Sequence, residues 1–385
     1  MKLAGELTRR EWLCGASLAT GGLSLARAAA PPSAPVAIAR CPSYEEGLVT
    51  RLATLFDQVG GVDKLVRGKT VTIKLNLTGS PSLRYKGYAL GVTHYVHPKL
   101  VGACCHLLGK AGARRIRLVE CCWASADPLE DYLLDSGWNV RALAQTAPLV
   151  EFENTNTLGK GRRYSRLKVP HGGYLFPAFD FNHAYEETDV FMTIAKLKNH
   201  ATCGVTLSLK NSFGTSPASI YGDDAGEEEA NESPRSGRGR VFHSGQRGPS
   251  RSAPQELHPD SPRQGGYRVP RIVVDLVAAR PIDLQIIDGV ESVAGGEGPW
   301  IRGSRPVRPG LLLVGRNPVS TDAVSTAVMG YNPRADRGTP PFRNCDNTMK
   351  LAEDAGIGSA DLNRIDVRGV PISDALYEFE SPRKG

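Results

Sequence analysis

Lys196, Lys198 and His200 stand at alternate positions, so in an extended chain their side chains project to one side. Neighbouring ammonium groups repel unless an anion sits between them, which points to a carboxylate or phosphate ligand. An imidazole beside them titrates near neutral pH and can carry a proton, so His200 and Lys198 are catalytic candidates. His97 is a further one, in the run Thr93-His94-Tyr95-Val96-His97-Pro98. His94, His97 and His200 also make an alternative metal-ligand set. Against it, Pro98 places the first two ahead of a helix rather than on one of its faces. The plainer reading has His97 capping that helix and His94 on the surface.

Such groups need a frame that gathers them. Apolar, β-branched runs over 71–77, 115–120, 189–195, 283–288 and 311–315 read as strands. Helical patterns over 97–110, 129–136, 269–280 and 319–329 alternate with them. Residues 149–169 read as one or two antiparallel strands, and a helix over 348–355 and a strand over 364–368 close the chain. This alternation predicts an α/β fold, a mainly parallel sheet with helices on both faces. Polar residues fall where the strands end. Lys74 and Asn76 close the first, Glu120 the second and Lys196 follows the third. Asp288 and Glu291 follow the fourth, and Asn317 the fifth. Parallel sheets bind ligands beyond the carboxyl ends of their strands, at a switch in strand order, so a shared cleft is expected. Lys210, Asn211 and Glu297 join it as ligand-binding candidates, the last from the Gly295-Gly296-Glu297-Gly298-Pro299-Trp300 turn.

Composition narrows the function classes. With 385 residues, 41% of them hydrophobic, the chain can bury a sizeable core, which excludes global disorder. Its +7 formal charge is mild for this length, and no basic stripe interleaves with aromatics, so a nucleic-acid partner is not expected. Thr8-Arg9-Arg10-Glu11-Trp12-Leu13, a short small-residue stretch and Ala28-Ala29-Ala30 read as a twin-arginine signal peptide over 1–30. The expectation is a periplasmic or secreted protein, carried folded by the twin-arginine translocation machinery, without stable membrane insertion. Seven cysteines follow the leader with no Cys-x-x-Cys among them, so no iron–sulfur cluster is expected. Residues 31–385 are expected to form a single α/β domain. Its insertion over 216–267 is more than a third Gly, Pro and Ser, and is expected to be disordered, with Val241-Phe242-His243 alone touching the body.

Together, Ile73-Lys74-Leu75-Asn76-Leu77, His97-Pro98, the 195–200 and 204–211 segments, Ile287-Asp288-Gly289-Val290 and Asn317-Pro318-Val319 resemble the domain of unknown function family numbered 362, and in particular its exported branch. The resemblance spans roughly residues 35–370 and implies no particular reaction. Three readings follow. In the first, an enzyme holds an anionic substrate or cofactor between Lys74, Lys196, Lys198 and Lys210, with His200 or His97 moving the proton and Glu120 and Asp288 orienting it. In the second, the histidines hold a metal ion. In the third, a periplasmic protein binds its ligand without catalysis.

Overall fold

The computed structural model of the protein describes residues 30–380. Eight of its strands hydrogen-bond into one sheet: β1 (Val36–Arg40), β2 (Thr70–Lys74), β3 (Arg115–Glu120), β4 (Val150–Asn154), β5 (Val190–Lys196), β6 (Leu284–Gly289), β7 (Leu311–Gly315) and β8 (Val367–Gly369). Their order across the sheet is β8-β1-β7-β6-β5-β2-β3-β4. Only β7 runs against the rest: it pairs antiparallel with both β1 and β6, whereas every other pairing is parallel. From β2 the chain steps outward through β3 to β4. From β5 it steps the other way through β6 to β7. The order therefore reverses between β2 and β5, which is where an open parallel sheet leaves a crevice.

Alternation along the strands divides the core in two. Val71, Ile73, Met192, Ile194, Leu284 and Ile286 face one layer, built on helices α1 (Leu48–Gln58) and α2 (Pro98–Lys110). Phe191, Ala195, Ile287, Leu311 and Leu313 face the other, built on α3 (Gly265–Ala279) and α4 (Pro318–Val328). All seven residues of β5 are buried, which is why it reads as an unbroken apolar run. The α/β expectation holds, with helices covering both faces.

Three expectations need correction. Residues 150–154 do not form an antiparallel strand; β4 runs parallel to β3, because the helices Leu129–Asp135 and Val140–Ala144 supply the crossover that a parallel pair requires. The antiparallel hairpin lies later, between Ser165–Lys168 and Ala178–Phe181. The final strand is Val367–Gly369 rather than 364–368.

The third correction concerns the insertion over 216–267, which is folded. Phe242 is fully buried among Phe176, Phe179, Phe213 and Tyr221. Arg268 on α3 pairs with Glu256 at 2.7 Å. Ser250 Oγ donates to the Gly226 carbonyl, and Arg247 donates to the carbonyls of Asp223 and Ala225. Polar side chains thus satisfy the loop's own backbone in place of a ladder, so a Gly/Pro/Ser-rich sequence can be ordered without regular structure. Contacts gather the described residues from Pro31 onward into one unit. The twin-arginine pattern at Arg9 and Arg10 lies outside the described residues. Among the described residues no helix is long and apolar enough to cross a membrane.

Candidate functional site

Strand parity decides which of the strand-end residues meet. Lys74 pairs in register with Thr193, and Asp288 with Lys196. Lys196 lies three positions beyond Thr193, an odd step, so Lys74 points to the α3/α4 face while Lys196 and Asp288 point to the α1/α2 face. On that second face Lys196 Nζ donates to Asp288 Oδ2 at 2.9 Å, to Tyr44 Oη at 3.0 Å and to the carbonyls of Gly91 and Glu291. Tyr44 donates to the other Asp288 oxygen, and the His97 backbone N–H donates to Asp288 Oδ2 at 3.0 Å. The His97 ring stacks on Tyr44 at 3.7 Å and caps α2, its Nδ1 accepting from the Lys99 N–H. Burial pushes its pKa down to about 4. The cluster is closed: Lys196 and Asp288 are both fully buried and fully bonded.

The α3/α4 face is open. A cavity of about 420 Å³ sits at the ends of β2, β3 and β5, large enough for a small molecule. Lys74, Asn76 and Thr78 line it from the β2 end, Glu120 and Cys121 from β3, and His200 and Thr206 from beyond β5. The short helix Leu207–Asn211 adds Lys210 and Asn211, and the turn over 295–300 adds Glu297. The insertion supplies the far wall with Asp223, Arg238 and His243. Trp123, close to half exposed, stands at the edge. Lys74 and Glu120 form a buried ion pair; Glu120 also accepts from the Leu77 N–H at 2.9 Å. A Cβ on Gly214 would lie 2.7 Å from Lys74 Nζ, so a larger residue there would have to displace the pair.

The cavity's charges are unequally satisfied. Each carboxylate is held by N–H donors. Glu297 accepts from the Ala201 N–H at 2.9 Å and Asp223 from the Arg240 N–H at 2.6 Å, while Glu120 holds Lys74 and Leu77. Burial pushes Glu297 up, but His200, the Ala201 N–H and Lys210 outweigh it and bring its pKa to about 2. The cations are freer. Arg238 donates from Nε to the Ser216 carbonyl and from Nη2 to Asn156 Oδ1, and its Nη1 has no partner among the described residues. Lys210 Nζ has no hydrogen bond or ion pair among the described residues and lies 4.0 Å from the centre of the Phe213 ring. Burial, opposed by Cys203 and Glu297 and reinforced by Arg238 and Lys74, pushes Lys210 down to about 8. His200 Nδ1 accepts from the Thr202 N–H at 3.1 Å, which places the proton of the neutral ring on Nε2. Burial keeps both imidazoles neutral, His200 at about 3 and His243 at about 4.

Of the residues singled out from sequence, the structure brings Lys74, Asn76, Glu120, His200, Lys210, Asn211 and Glu297 to one cavity. It takes Lys196, Asp288 and His97 to the closed cluster. Lys198 is fully buried, with Nζ donating to Thr78 Oγ1 and the His94 carbonyl; burial pushes its pKa far down. Asn317 does not reach the cleft, because β7 is reversed and ends at the opposite edge; it caps α4 through the Val319 and Ser320 N–H groups. His94 is buried rather than superficial, its ring 5.5 Å from Trp300. His94, His97 and His200 thus occupy three different surroundings and share no ligand position. Among the described residues no three His, Cys, Asp or Glu gather to hold a metal ion. Sequence reasoning missed Tyr44, which bonds both Lys196 and Asp288, and Arg238 in the cavity wall. It read His243 as part of a segment touching the body; the apolar Val241-Phe242 beside it was the signal that this stretch docks.

The family described as Domain of unknown function (DUF362) matches residues 71–327. A thylakoid-associated protein of Synechocystis sp. is 25% identical over 305 residues, covering 77% of this chain and 75% of that protein. Among solved structures, the lactate racemase apoprotein from Thermoanaerobacterium thermosaccharolyticum aligns with a TM-score of 0.36 at 11% identity. That alignment covers 72% of this chain but only 54% of the racemase chain.

Proposed function

This chain belongs to the Domain of unknown function (DUF362) family, and we propose that it binds a small anionic molecule, a carboxylate or a phosphate, in the cavity where the strand order reverses. One observation carries the reading. The carboxylates around the cavity are all engaged by N–H donors, whereas Arg238 and Lys210 face it with no carboxylate at ion-pair distance among the described residues. A guanidinium whose Nη1 has no partner among the described residues can bind an anion directionally, and an amine without an ion pair beside it adds a second positive contact. His200 offers Nε2–H to a ligand oxygen, and His243 is the second imidazole within the same cavity. An acid–base step on the bound anion would run through these two rings.

Calorimetric titration with a panel of small carboxylates and phosphates tests the reading. Arg238→Gln should weaken the bound member by about 1.5–3 kcal/mol, roughly ten- to hundredfold. Binding that is unchanged in both Arg238→Gln and Lys210→Ala would overturn it. Export forms the second half of the proposal: the twin-arginine pattern directs the folded protein to the periplasm or beyond. Replacing Arg9 and Arg10 by Lys should leave it in the cytoplasm on fractionation, and normal export of that variant would refute the assignment.

A further inference from the structure

Four lysines surround the reversal point, and three are spoken for. Lys74 bonds Glu120, the Leu75 carbonyl and Asn211. Lys196 has four acceptors for its three N–H bonds. Lys198 has Thr78 and the His94 carbonyl, and lines no part of the cavity. Lys210 alone among them points an unbonded amine at the cavity, over the face of Phe213. Apart from the Phe213 ring, no described residue contacts that nitrogen as a hydrogen-bond or ion-pair partner. Burial, helped by Arg238 and Lys74 and opposed by Cys203 and Glu297, brings its pKa to about 8, so a fraction is free amine near neutral pH. Around it stand an anion-binding guanidinium, a fixed N–H donor on His200 and a second imidazole, His243, with no ring hydrogen bond among the described residues.

We propose that Lys210 forms an imine with the carbonyl carbon of an α-keto acid whose carboxylate is held by Arg238. The proposal rests on the anion-binding reading above and names its substrate class. The Lys210 nitrogen gives a proton to His243, and its lone pair forms the C–N bond while the carbonyl electrons move to oxygen. His243 passes the proton to that oxygen, which His200 Nε2–H steadies. A second proton follows the same route from nitrogen to oxygen, the C–O bond breaks, and water leaves. Ammonium plus ketone becomes protonated imine plus water, with the total charge unchanged and no oxidant or reductant consumed. A carbonyl compound that lacks the carboxylate loses the Arg238 contact and reacts less.

The test is reductive trapping on the full chain with pyruvate and borohydride, read by intact and peptide mass spectrometry. The expected result is one carboxyethyl group per chain, located on Lys210. It should be absent from Lys210→Arg, which keeps the charge and the fold but cannot form the imine, and strongly reduced in Arg238→Gln. Acetaldehyde should label Lys210 far less than pyruvate does. Circular dichroism of each variant guards against misfolding. Titration of pyruvate runs in parallel and separates the two ideas. Pyruvate that binds in an Arg238-dependent way without a trapped adduct overturns the imine and leaves anion binding standing. Label scattered over surface lysines also overturns it. No binding of any carboxylate or phosphate overturns both.

Discussion

Two buried lysine–carboxylate pairs sit at the same edge of the sheet, on neighbouring strands, and they behave differently. Lys196–Asp288 is sealed. Tyr44 and two carbonyls complete the ammonium's coordination, and the His97–Tyr44 stack lies beside it. Lys74–Glu120 forms a cavity wall, with Gly214 pressed against the pair and with Arg238 and Lys210, which make no ion pair among the described residues, lining the same cavity. The lesson is that the same lysine–carboxylate pairing at equivalent strand ends can be a rivet or a binding wall. What separates them is the parity of one residue along a strand and whatever the opposite layer places over them. A buried pair with every bond made resists removal of either partner. An unpaired cation facing a cavity is dispensable for folding and available to a ligand.

The comparison can be broken first with acid. His94 and His97 lie on the closed side and His200 and His243 in the cavity, and burial lowers all four, to about 3, 4, 3 and 4. Below pH 6.5 the unfolded chain protonates these rings while the folded chain does not, so stability is lost as pH falls. Burial raises Asp275 to about 6 and Asp322 to about 7, and these act the other way, holding protons in the folded state. Four protons against two leave a net loss of about 3 kcal/mol per pH unit near pH 5, measurable as urea unfolding against pH. A flat profile between pH 4 and 6.5 would mean that the rings are not buried neutral on either side. Next, Asp288→Ala strands a buried ammonium and should cost about 3–5 kcal/mol in denaturant unfolding. A loss below about 1 kcal/mol would abolish the distinction between sealed and open pairs. The smallest effect sharpens the contrast from the far edge. Asn317→Ala removes a helix cap and should cost about 1 kcal/mol while leaving anion titration untouched. A change in ligand affinity there would place Asn317 back in the site.

Much of the frame could be read from the chain, because central parallel strands are buried on both faces and announce themselves as apolar runs. The span 115–120 is a strand to its last residue, and 311–315 likewise. The strand Val36–Arg40 and helix α1 went unread: five residues of mixed Val, Ile, Ala and Arg next to a Pro-rich stretch carry little pattern. The polar strand ends were legible as a set, but their division between two faces was not. Lys196 and Lys74 look alike in sequence, and only the register across β5 and β2 puts them back to back. The direction of β7 was equally hidden, and with it the place of Asn317. Arg238 lay in a stretch whose composition argued for disorder. Its order comes from side chains satisfying a loop's own carbonyls, an arrangement that leaves no periodic trace.

Arg238 and His243 reach the cavity from a single excursion between two short helices and α3, whereas Lys74, Glu120 and His200 belong to the scaffold. The guanidinium and one imidazole thus come from the excursion, while Lys210 and His200 come from the scaffold. A homologue that kept every strand but rewrote this one excursion would preserve the skeleton while choosing a different guest, and grafting the segment between relatives would be a direct way to exchange their preferences.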